Sequence, residues 1–311
     1  MRAKDTLQDK ADRSVRPPGR PLHVRESLRY TSRTMSLTRD ALDTLRKTSR
    51  TFFIPIVRLP GSVRDAVGSA YLCMRAIDEI EDHDALQDAA KVELLTGISA
   101  ILEAAAAAGR LDRKALRELF KPYRASLPAV TLLLGRYAKM APASIARQVW
   151  SATAGMSRQM AHWVDKDFTI RTEQDLDDYT YDVAGRVGEL LTDIWKWYDG
   201  TEADRTLGIG FGRCLQAVNI VRNRKEDLSR GVDFYPSDWT SDDLHHYIRR
   251  QAGLADAYLD QLPPGPVREF CRIPLLLAKA TLETLVSGGA KLSRRDVIEI
   301  VGPGKGVPLA E

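Results

Sequence analysis

The sequence predicts an all-α protein, and two observations carry that prediction. Leucine, alanine, isoleucine and valine recur at spacings of three and four residues along most of the chain, which is the period of an amphipathic helix. Runs of alternating β-branched residues, which are typical of strands, are not found in the sequence. The helical period covers eight segments: 63–82, 91–108, 129–139, 143–164, 174–199, 203–230, 241–261 and 266–288.

The breaks between these segments carry the glycine and proline residues expected at turns, and they predict one domain flanked by two tails. Residues 1–35 are rich in Arg, Lys, Asp, Ser and Pro and have almost no apolar periodicity, so we expect a disordered tail there. Residues 36–301 are predicted to form a single all-α domain. Residues 302–311 include Gly-Pro-Gly-Lys-Gly and are predicted to be a loose C-terminal tail.

Composition narrows the class of protein. Hydrophobic residues make up 44% of the chain and charged residues 28%, as in ordinary globular proteins. The formal net charge of +4 is small and its basic residues are dispersed, so no nucleic-acid partner is expected. The three cysteines, Cys73, Cys214 and Cys271, are far apart, which argues against disulfides or a zinc site. With no secretory signal or membrane-spanning run, we expect a cytoplasmic protein.

A first acidic cluster lies at the end of the segment 63–82. Asp78, Glu81 and Asp82 share one helical face, because residues three and four positions apart are neighbours on a helix. Arg75 and Tyr71 precede them on that face by one and two turns. Carboxylates stacked in this way repel one another, so the cluster is either a solvated acidic face or a cation site.

A second polar stripe favours the cation site. On the segment 203–230, amide and carboxylate side chains are spaced by 3, 4, 3 and 1 residues, and they are Gln216, Asn219, Asn223, Glu226 and Asp227. Oxygen ligands without imidazole or thiolate suit a hard cation such as Mg²⁺. Two such stripes facing each other across a bundle would hold Mg²⁺ over a diphosphate.

Two competing carboxylate or phosphate sites are excluded. A ferritin-like di-iron bundle requires Glu three residues before His on a helix, and none of the five histidines has it. A phosphate-binding loop of the Walker A type would end in Lys-Ser or Lys-Thr, and the glycine-rich stretch 302–306 does not.

Several segments, in order, resemble motifs of the squalene/phytoene synthase family. They are 49–52 (SRTF), 70–82 (AYLCMRAIDEIED), 178–189 (DYTYDVAGRVGE), 215–227 (LQAVNIVRNRKED) and 231–236 (GVDFYP). A further stretch, 270–282 (FCRIPLLLAKATL), is similar to a late helix of squalene synthases in particular. The resemblance runs from about residue 45 to residue 301.

The resemblance implies an isoprenoid-synthase helical bundle with a central cavity between the two acidic helices. It also implies Mg²⁺-dependent, head-to-head condensation of two prenyl diphosphates through a cyclopropyl diphosphate. The implied Mg²⁺ ligands are Asp78, Glu81, Asp82, Asn223, Glu226 and Asp227. The implied diphosphate contacts are Ser49, Arg50, Arg75, Gln216, Asn219 and Arg222. The implied catalytic residues, which would stabilise or surround the carbocation, are Tyr71, Tyr181 and Phe52.

The expected substrate is farnesyl diphosphate, with presqualene diphosphate as the intermediate and squalene or a related C30 compound as the product. Squalene would require NADPH as a hydride donor, whereas dehydrosqualene would not. A phytoene synthase using geranylgeranyl diphosphate stays an alternative. Peripheral contact with a membrane, for release of an oily product, also stays open.

Three positions depart from the family pattern. Asn223 stands where most members have the first Asp of the second motif, which removes one negative charge. Val232 stands where many have Arg, a loss that Arg224 or Arg230 would have to compensate. Asp182 stands where some squalene synthases have Tyr. These departures leave open a prenyl diphosphate phosphatase, a terpene cyclase or a protein that binds without turnover.

Overall fold

The computed structural model describes residues 36–49, 51–289, 292 and 294–302, and none of these residues lies in a strand. In chain order, helices α1 to α14 span Arg39–Thr48, Phe53–Arg58, Gly61–Glu81, Asp88–Ala108, Arg113–Phe120, Ala129–Leu132, Leu134–Tyr137, Ala146–Asp165, Glu173–Thr180, Arg186–Asp199, Arg205–Ser229, Ser241–Gln261, Pro266–Val286 and Arg294–Val301. A 3₁₀ turn, Lys121–Tyr123, follows α5, and a π-helical segment, Tyr181–Gly185, joins α9 to α10. The predicted all-α class is confirmed.

Most of the predicted helical segments coincide with one helix each, and two of them are interrupted. The segment 129–139 is divided at Leu133, whose ψ of 2° separates α6 from α7. The segment 174–199 contains the π-helical turn, which a periodicity of 3.6 residues does not reveal. The predicted tail 1–35 and residues 303–311 lie outside the described residues, so the domain boundaries stay a prediction.

Four helices escaped the sequence prediction: α1, α2, α5 and α14. The helices α1 and α5 are short and strongly charged, and each buries only two side chains. A local signal for α5 was present, because the Asp112 side chain accepts hydrogen bonds from the backbone N–H groups of Lys114 and Ala115. An aspartate at the N-cap followed by apolar residues four apart is typical of a helix start.

Helices α3, α8, α10 and α11 meet in the interior, with α4 packed along α8 and α12 along α11. Buried hydroxyl groups tie some of these elements together. Ser69 donates to the Tyr137 carbonyl oxygen at 2.7 Å, and Ser157 donates to the Leu95 carbonyl oxygen at 2.8 Å. None of the described helices combines the length and the apolar character that crossing a bilayer requires.

Helices α10 and α11 approach each other closely enough that their backbones touch. A Cβ atom added to Gly188 would overlap the carbonyl oxygen of Gly208, and one added to Gly212 would overlap the carbonyl oxygen of Ala184. Only glycine permits this approach, because any other residue would force the helices apart. The contact fixes the distance between the two helices that carry one wall of the interior.

The π-helical segment interrupts the helical register where this wall begins. A π turn inserts one extra residue, and such turns are frequent at functional sites. Gly185, at its end, lies against the Tyr181 ring and Ile209, where a Cβ atom would be crowded. The segment thereby directs Val183 and Ala184 toward the interior, while Tyr181 lies on another side.

The glycine contact yields a stability prediction. We expect Gly188→Ala to lower the free energy of unfolding by about 1–3 kcal/mol, because a methyl group is forced against rigid backbone atoms. The matched control is Gly253→Ala on α12, where a Cβ atom would meet nothing within 4 Å. That change should be neutral or stabilise by about 0.4–1 kcal/mol. Urea unfolding measures both, and equal effects of the two changes would contradict the proposed contact.

Candidate active site

A polar cavity of about 680 Å³ lies between the C-terminal turns of α3 and the second half of α11. Its wall is built largely from charged and amide side chains, with a few aromatic and aliphatic ones. The lining residues include Arg75, Asp78, Glu81, Asp82, Lys91, Tyr179, Gln216, Asn219, Arg222, Asn223, Asp227, Arg230, Val232 and Phe234. The cavity thus brings together side chains from both polar stripes found in the sequence.

The first stripe forms a compact group of carboxylates. Asp78, Glu81 and Asp82 each place an oxygen within 4.8 Å of the others. Burial, followed by the negative charge of Asp82, raises the pKa of Asp78 to about 7. The same two causes, with Asp78 added, raise the pKa of Glu81 well above its ordinary value. The group therefore carries a repulsion that a bound cation would relieve.

Arg75 supplies part of the opposing charge from one turn earlier on α3. Its guanidinium group donates to Asp78 and to Glu79. This pairing lowers the pKa of Asp78, but burial and Asp82 outweigh it. Arg75 also lines the cavity.

The second wall is a row of side chains on α11. Gln216, Asn219, Asn223 and Asp227, which belong to the stripe read from the sequence, line the polar cavity, and so does Arg222, which the family resemblance implied. The Nε atom of Arg222 donates to Oδ1 of Asn223 at 3.2 Å, which orients the amide. Glu226 is exposed and is not among the residues that line the cavity, so its predicted role as a ligand stays a prediction.

Arg230 links the two walls. Its Nη1 atom lies 3.3 Å from Oδ1 of Asp82 on α3, and its Nη2 atom lies 2.6 Å from Oδ1 of Asp227 on α11. Burial raises the pKa of Asp227, and the Arg230 charge opposes that rise. The guanidinium group is thus the cation that holds these two carboxylates together in this structure.

A second, apolar cavity of about 280 Å³ adjoins the first. It is lined by side chains of α2, α3, α8, α10, α11 and α13 and by the π-helical segment, including Phe52, Tyr71, Met156, Val183, Phe211 and Phe270. Arg75, Asp78, Gln216 and Asn219 line both cavities. An anionic group in the polar cavity could therefore carry an apolar chain directly into the second one.

Two of the predicted catalytic residues lie in the apolar cavity. Phe52 packs with its ring centre 6.1 Å from that of Tyr71 and 6.2 Å from that of Phe270. The Tyr71 hydroxyl donates to the carbonyl oxygen of Thr48 at 3.0 Å, and burial raises its pKa. Both rings line the apolar cavity.

Two of the predicted diphosphate contacts, Ser49 and Arg50, precede α2 in the sequence. Ser49 is buried, and its hydroxyl oxygen accepts a hydrogen bond from the Phe52 backbone N–H at 2.8 Å. Ser49 lines neither cavity and here fixes the backbone that presents Phe52. Arg50 lies outside the described residues.

Tyr181 lines neither of the two cavities. Its hydroxyl donates to Glu189 at 3.2 Å, and the guanidinium carbon of Arg186 lies 4.7 Å from the centre of its ring. The tyrosine two residues earlier, Tyr179, lines the polar cavity instead. Burial, followed by the charges of Glu81, Asp82, Asp78 and Asp227, raises its pKa well above the ordinary value. Residues two positions apart on a helix point to nearly opposite sides, which gives the two tyrosines different surroundings.

Tyr179 was missed in the sequence although it belongs to a motif that was recognised. Its ring stacks on Phe234 with 4.6 Å between centres and meets Trp163 edge to face at 5.4 Å. Lys91 on α4 was missed as well. It lines the polar cavity and donates to the Glu81 carbonyl oxygen at 2.8 Å. No sequence signal marks Lys91, because only the packing of α4 beside α3 brings it there.

The structure shows what surrounds Asp182 and Val232, two of the positions that depart from the family pattern. Asp182 is buried and accepts hydrogen bonds from Trp163 at 3.0 Å and from Arg186 at 3.2 Å, so it is held by structural partners. Val232 lines the polar cavity without a charge. Arg224 is bonded to Asp233 and stacked on a tyrosine ring, and it is not among the lining residues, whereas Arg230 is.

The donor set fits a hard divalent cation. The first wall offers three clustered carboxylates, and the second offers an amide oxygen and a buried carboxylate. Mg²⁺ binds to few protein oxygens and keeps positions for water and phosphate. The raised pKa values of Asp78 and Glu81 indicate that these carboxylates lack sufficient positive charge nearby.

The sequence is similar to squalene synthases from several organisms. A squalene synthase of Eremothecium gossypii is 28% identical over 288 residues, covering 81% of this chain and 63% of the relative. The squalene synthase of Solanum lycopersicum is 32% identical over 268 residues (76% and 62%), and that of Homo sapiens is 25% identical over 305 residues (86% and 69%). The chain thus spans between 62% and 69% of the length of these relatives.

Solved structures agree on the fold. The complex of TcSQS with the ligand BPH1237 matches with a TM-score of 0.66 at 23% identity, over 85% of this chain and 84% of that one. A dehydrosqualene synthase in complex with a ligand matches with a TM-score of 0.56 at 17% identity, over 84% and 93%. The model of the squalene/phytoene synthase family matches residues 45–299, which is most of the sequence. The chain therefore belongs to the squalene/phytoene synthase family, and its fold is the isoprenoid-synthase helical bundle.

Proposed function

We propose that the protein catalyses the Mg²⁺-dependent, head-to-head condensation of two prenyl diphosphates, with farnesyl diphosphate as the substrate and a C30 compound as the product. One observation carries the proposal. The polar cavity and the apolar cavity share Arg75, Asp78, Gln216 and Asn219, so a diphosphate and its prenyl chain have adjoining places. The C–O bond to be broken would lie at this shared boundary.

Charge at the boundary supports ionisation of an allylic diphosphate. Cleavage of the C–O bond leaves negative charge on the departing diphosphate, and bound Mg²⁺ would stabilise that charge as a Lewis acid. In the proposal, Asp78, Glu81 and Asp82 hold the metal from one wall, and Asn223, Glu226 and Asp227 hold it from the other. A further set contacts the diphosphate directly, and it comprises Ser49, Arg50, Arg75, Gln216, Asn219 and Arg222.

The apolar cavity supports the survival of the carbocation. Its aromatic lining, which includes Phe52, Tyr71, Phe211 and Phe270, would keep water from a cation held there and stabilise that cation. We assign Phe52 and Tyr71 to this function. Tyr181, which lies outside both cavities, would act through Glu189 and Arg186 rather than on the substrate, and Tyr179 takes the position beside the carboxylates.

The size of the apolar cavity favours a second candidate function. Its volume of about 280 Å³ lies just below the range for ligand pockets, about 300–1,000 Å³. In this conformation it accommodates one prenyl chain more readily than two. Ionisation of a single prenyl diphosphate, followed by capture of the cation by water or by an internal double bond, would make the protein a phosphatase or a terpene cyclase.

Three further elements belong to the leading proposal. Squalene as the product requires a hydride from NADPH, and dehydrosqualene does not. Geranylgeranyl diphosphate as the substrate would give phytoene instead. We also propose a cytoplasmic location, with peripheral membrane contact where the oily product leaves the apolar cavity.

Product analysis distinguishes the two candidates. Incubation with farnesyl diphosphate and Mg²⁺, with and without NADPH, is expected to give a C30 compound detected by mass spectrometry. Asp78→Asn should lower its formation by about 100-fold or more, because charge stabilisation of the leaving group is lost. Farnesol or C15 olefins as the only products would exclude condensation and support the second candidate.

Glu81→Gln separates a role in metal binding from a role in folding. The change removes one of three repelling charges, so the melting temperature in metal-free buffer should stay the same or rise while the turnover falls about 100-fold. Mg²⁺ should stabilise the wild type more than the variant. The control is Glu103→Gln, an exposed glutamate on α4 that is paired with Arg158, which should change neither quantity. A lower melting temperature for Glu81→Gln would indicate that the carboxylate serves the fold.

The raised pKa of Asp78 predicts how stability depends on pH without metal. The folded protein favours the protonated form of Asp78 up to about pH 7, whereas the unfolded chain releases that proton near pH 4. Stability should therefore fall as the pH rises from about 4 to about 7. Calorimetry in EDTA measures the melting temperature, and the Asp78→Asn variant isolates this group from others. If the difference in melting temperature between wild type and variant stays constant across this interval, the prediction is contradicted. Mg²⁺ should reduce the pH dependence of the wild-type melting temperature.

A further inference from the structure

The backbone around Arg230 is held in a fixed turn at the end of α11. The Arg230 N–H donates to the Asp227 carbonyl oxygen at 2.9 Å, and the Val232 N–H donates to the same oxygen at 3.1 Å. Gly231 has a φ of +85°, a conformation that favours glycine, and this lets the chain reverse direction. The base of the Arg230 side chain is therefore anchored one turn beyond Asp227, at the mouth of the polar cavity.

From this anchor the guanidinium group contacts one carboxylate on each wall. Asp227 is only 9% exposed, whereas Asp82 is 50% exposed and Arg230 is 46% exposed. Both carboxylates belong to the sets that we propose as metal ligands. A metal ion and the guanidinium group carry charge of the same sign and compete for the same oxygens, so binding of the metal must weaken these contacts.

A metal ion can displace the Arg230 side chain from these carboxylates at little cost. It is nearly half exposed, and ion pairs at such positions contribute little net free energy because water screens them. Once released, its five N–H donors remain inside the rim of the cavity. A planar guanidinium group matches the paired oxygens of a diphosphate and can donate two parallel hydrogen bonds to them.

A neighbouring arginine, Arg224, shows what a purely structural arrangement looks like in the same segment. It is bonded to Asp233 at 2.9 Å and 3.3 Å, and its guanidinium carbon lies 3.5 Å from the centre of the Tyr235 ring. It is not among the residues that line the polar cavity. Arg224 therefore provides a matched control of the same residue type on the same helix.

We propose that Arg230 is an internal counter-ion of the polar cavity. It holds Asp82 and Asp227 together while the metal is absent, gives them up when Mg²⁺ binds, and then contacts the diphosphate of the substrate. This inference rests on the metal and diphosphate sites of the proposed function. It makes Arg230 a positioning residue with opposite effects on the two ligands, since it competes with the metal and assists the anion.

The experiment measures binding without any prenyl chemistry. Isothermal titration calorimetry follows Mg²⁺ binding to the metal-free full-length protein, and then inorganic pyrophosphate binding in saturating Mg²⁺. For Arg230→Gln we expect Mg²⁺ to bind about five- to tenfold more tightly and pyrophosphate about five- to tenfold more weakly. Arg230→Lys should bind Mg²⁺ with the wild-type affinity. It should recover only part of the pyrophosphate affinity, because an ammonium group lacks the two-pronged geometry. Arg224→Gln should change neither affinity.

Unchanged affinities in Arg230→Gln, or affinities that both shift in the same direction, would overturn the inference. Equal shifts in Arg224→Gln would also overturn it, because the effect would then reflect general surface charge. Wild-type protein that binds neither Mg²⁺ nor pyrophosphate would overturn it together with the proposed metal site. Opposite shifts in a protein that forms no C30 product would uphold the role of Arg230 while excluding the condensation reaction.

Discussion

The mutual repulsion of Asp78, Glu81 and Asp82 is the constraint on which the site depends. These carboxylates share the end of α3 within 4.8 Å of one another, and two of them are deprived of water strongly enough that their pKa values rise. A fold does not retain such an arrangement for its stability, because charges that repel in a partly buried place cost free energy. Basic groups on α3 itself, on α4 and in the turn after α11 relieve it in part, and they are Arg75, Lys91 and Arg230.

The position of this charge matters as much as its magnitude. Asp78 lies at the boundary between a cavity lined by polar groups and a cavity lined by aromatic and aliphatic ones. A molecule with an anionic head and an apolar tail is complementary to that boundary. Because Arg75, Gln216 and Asn219 share it, the head would be fixed by donors on both α3 and α11 while the tail is removed from water.

The sequence alone was sufficient for the fold class and for the polar stripes, because both depend on spacing along a single helix. The residues that face the polar cavity from α3 and α11 follow the three- and four-residue intervals read from the sequence. Lys91 and Arg230 could not be assigned in this way, since tertiary packing and one turn after α11 determine their positions. Arg230 and Arg224 are equal candidates in the sequence to compensate for Val232, and only the structure separates them, because Arg230 lines the polar cavity and Arg224 is not among its lining residues.

The tyrosines show a different limit of sequence reasoning. Tyr179 and Tyr181 lie two positions apart in one motif, and a helical period gives no reason to prefer either. Residues two positions apart on a helix point to nearly opposite sides, and the structure places Tyr179 beside the carboxylates and Tyr181 beneath Arg186. Ser49 illustrates the same point, because its buried hydroxyl serves the backbone of Phe52, and no spacing rule distinguishes that from contact with a ligand.

The glycine contact between α10 and α11 also limits how this enzyme family member can change during evolution. Gly188 and Gly212 line the apolar cavity and are at the same time pressed against backbone atoms, so neither position tolerates a larger side chain. In the proposed function, these two positions therefore cannot change the volume available to the prenyl chain. Substitutions that fit longer or shorter chains should accumulate at other lining positions, such as Phe52, Met156 and Phe270, while Gly188 and Gly212 stay constant.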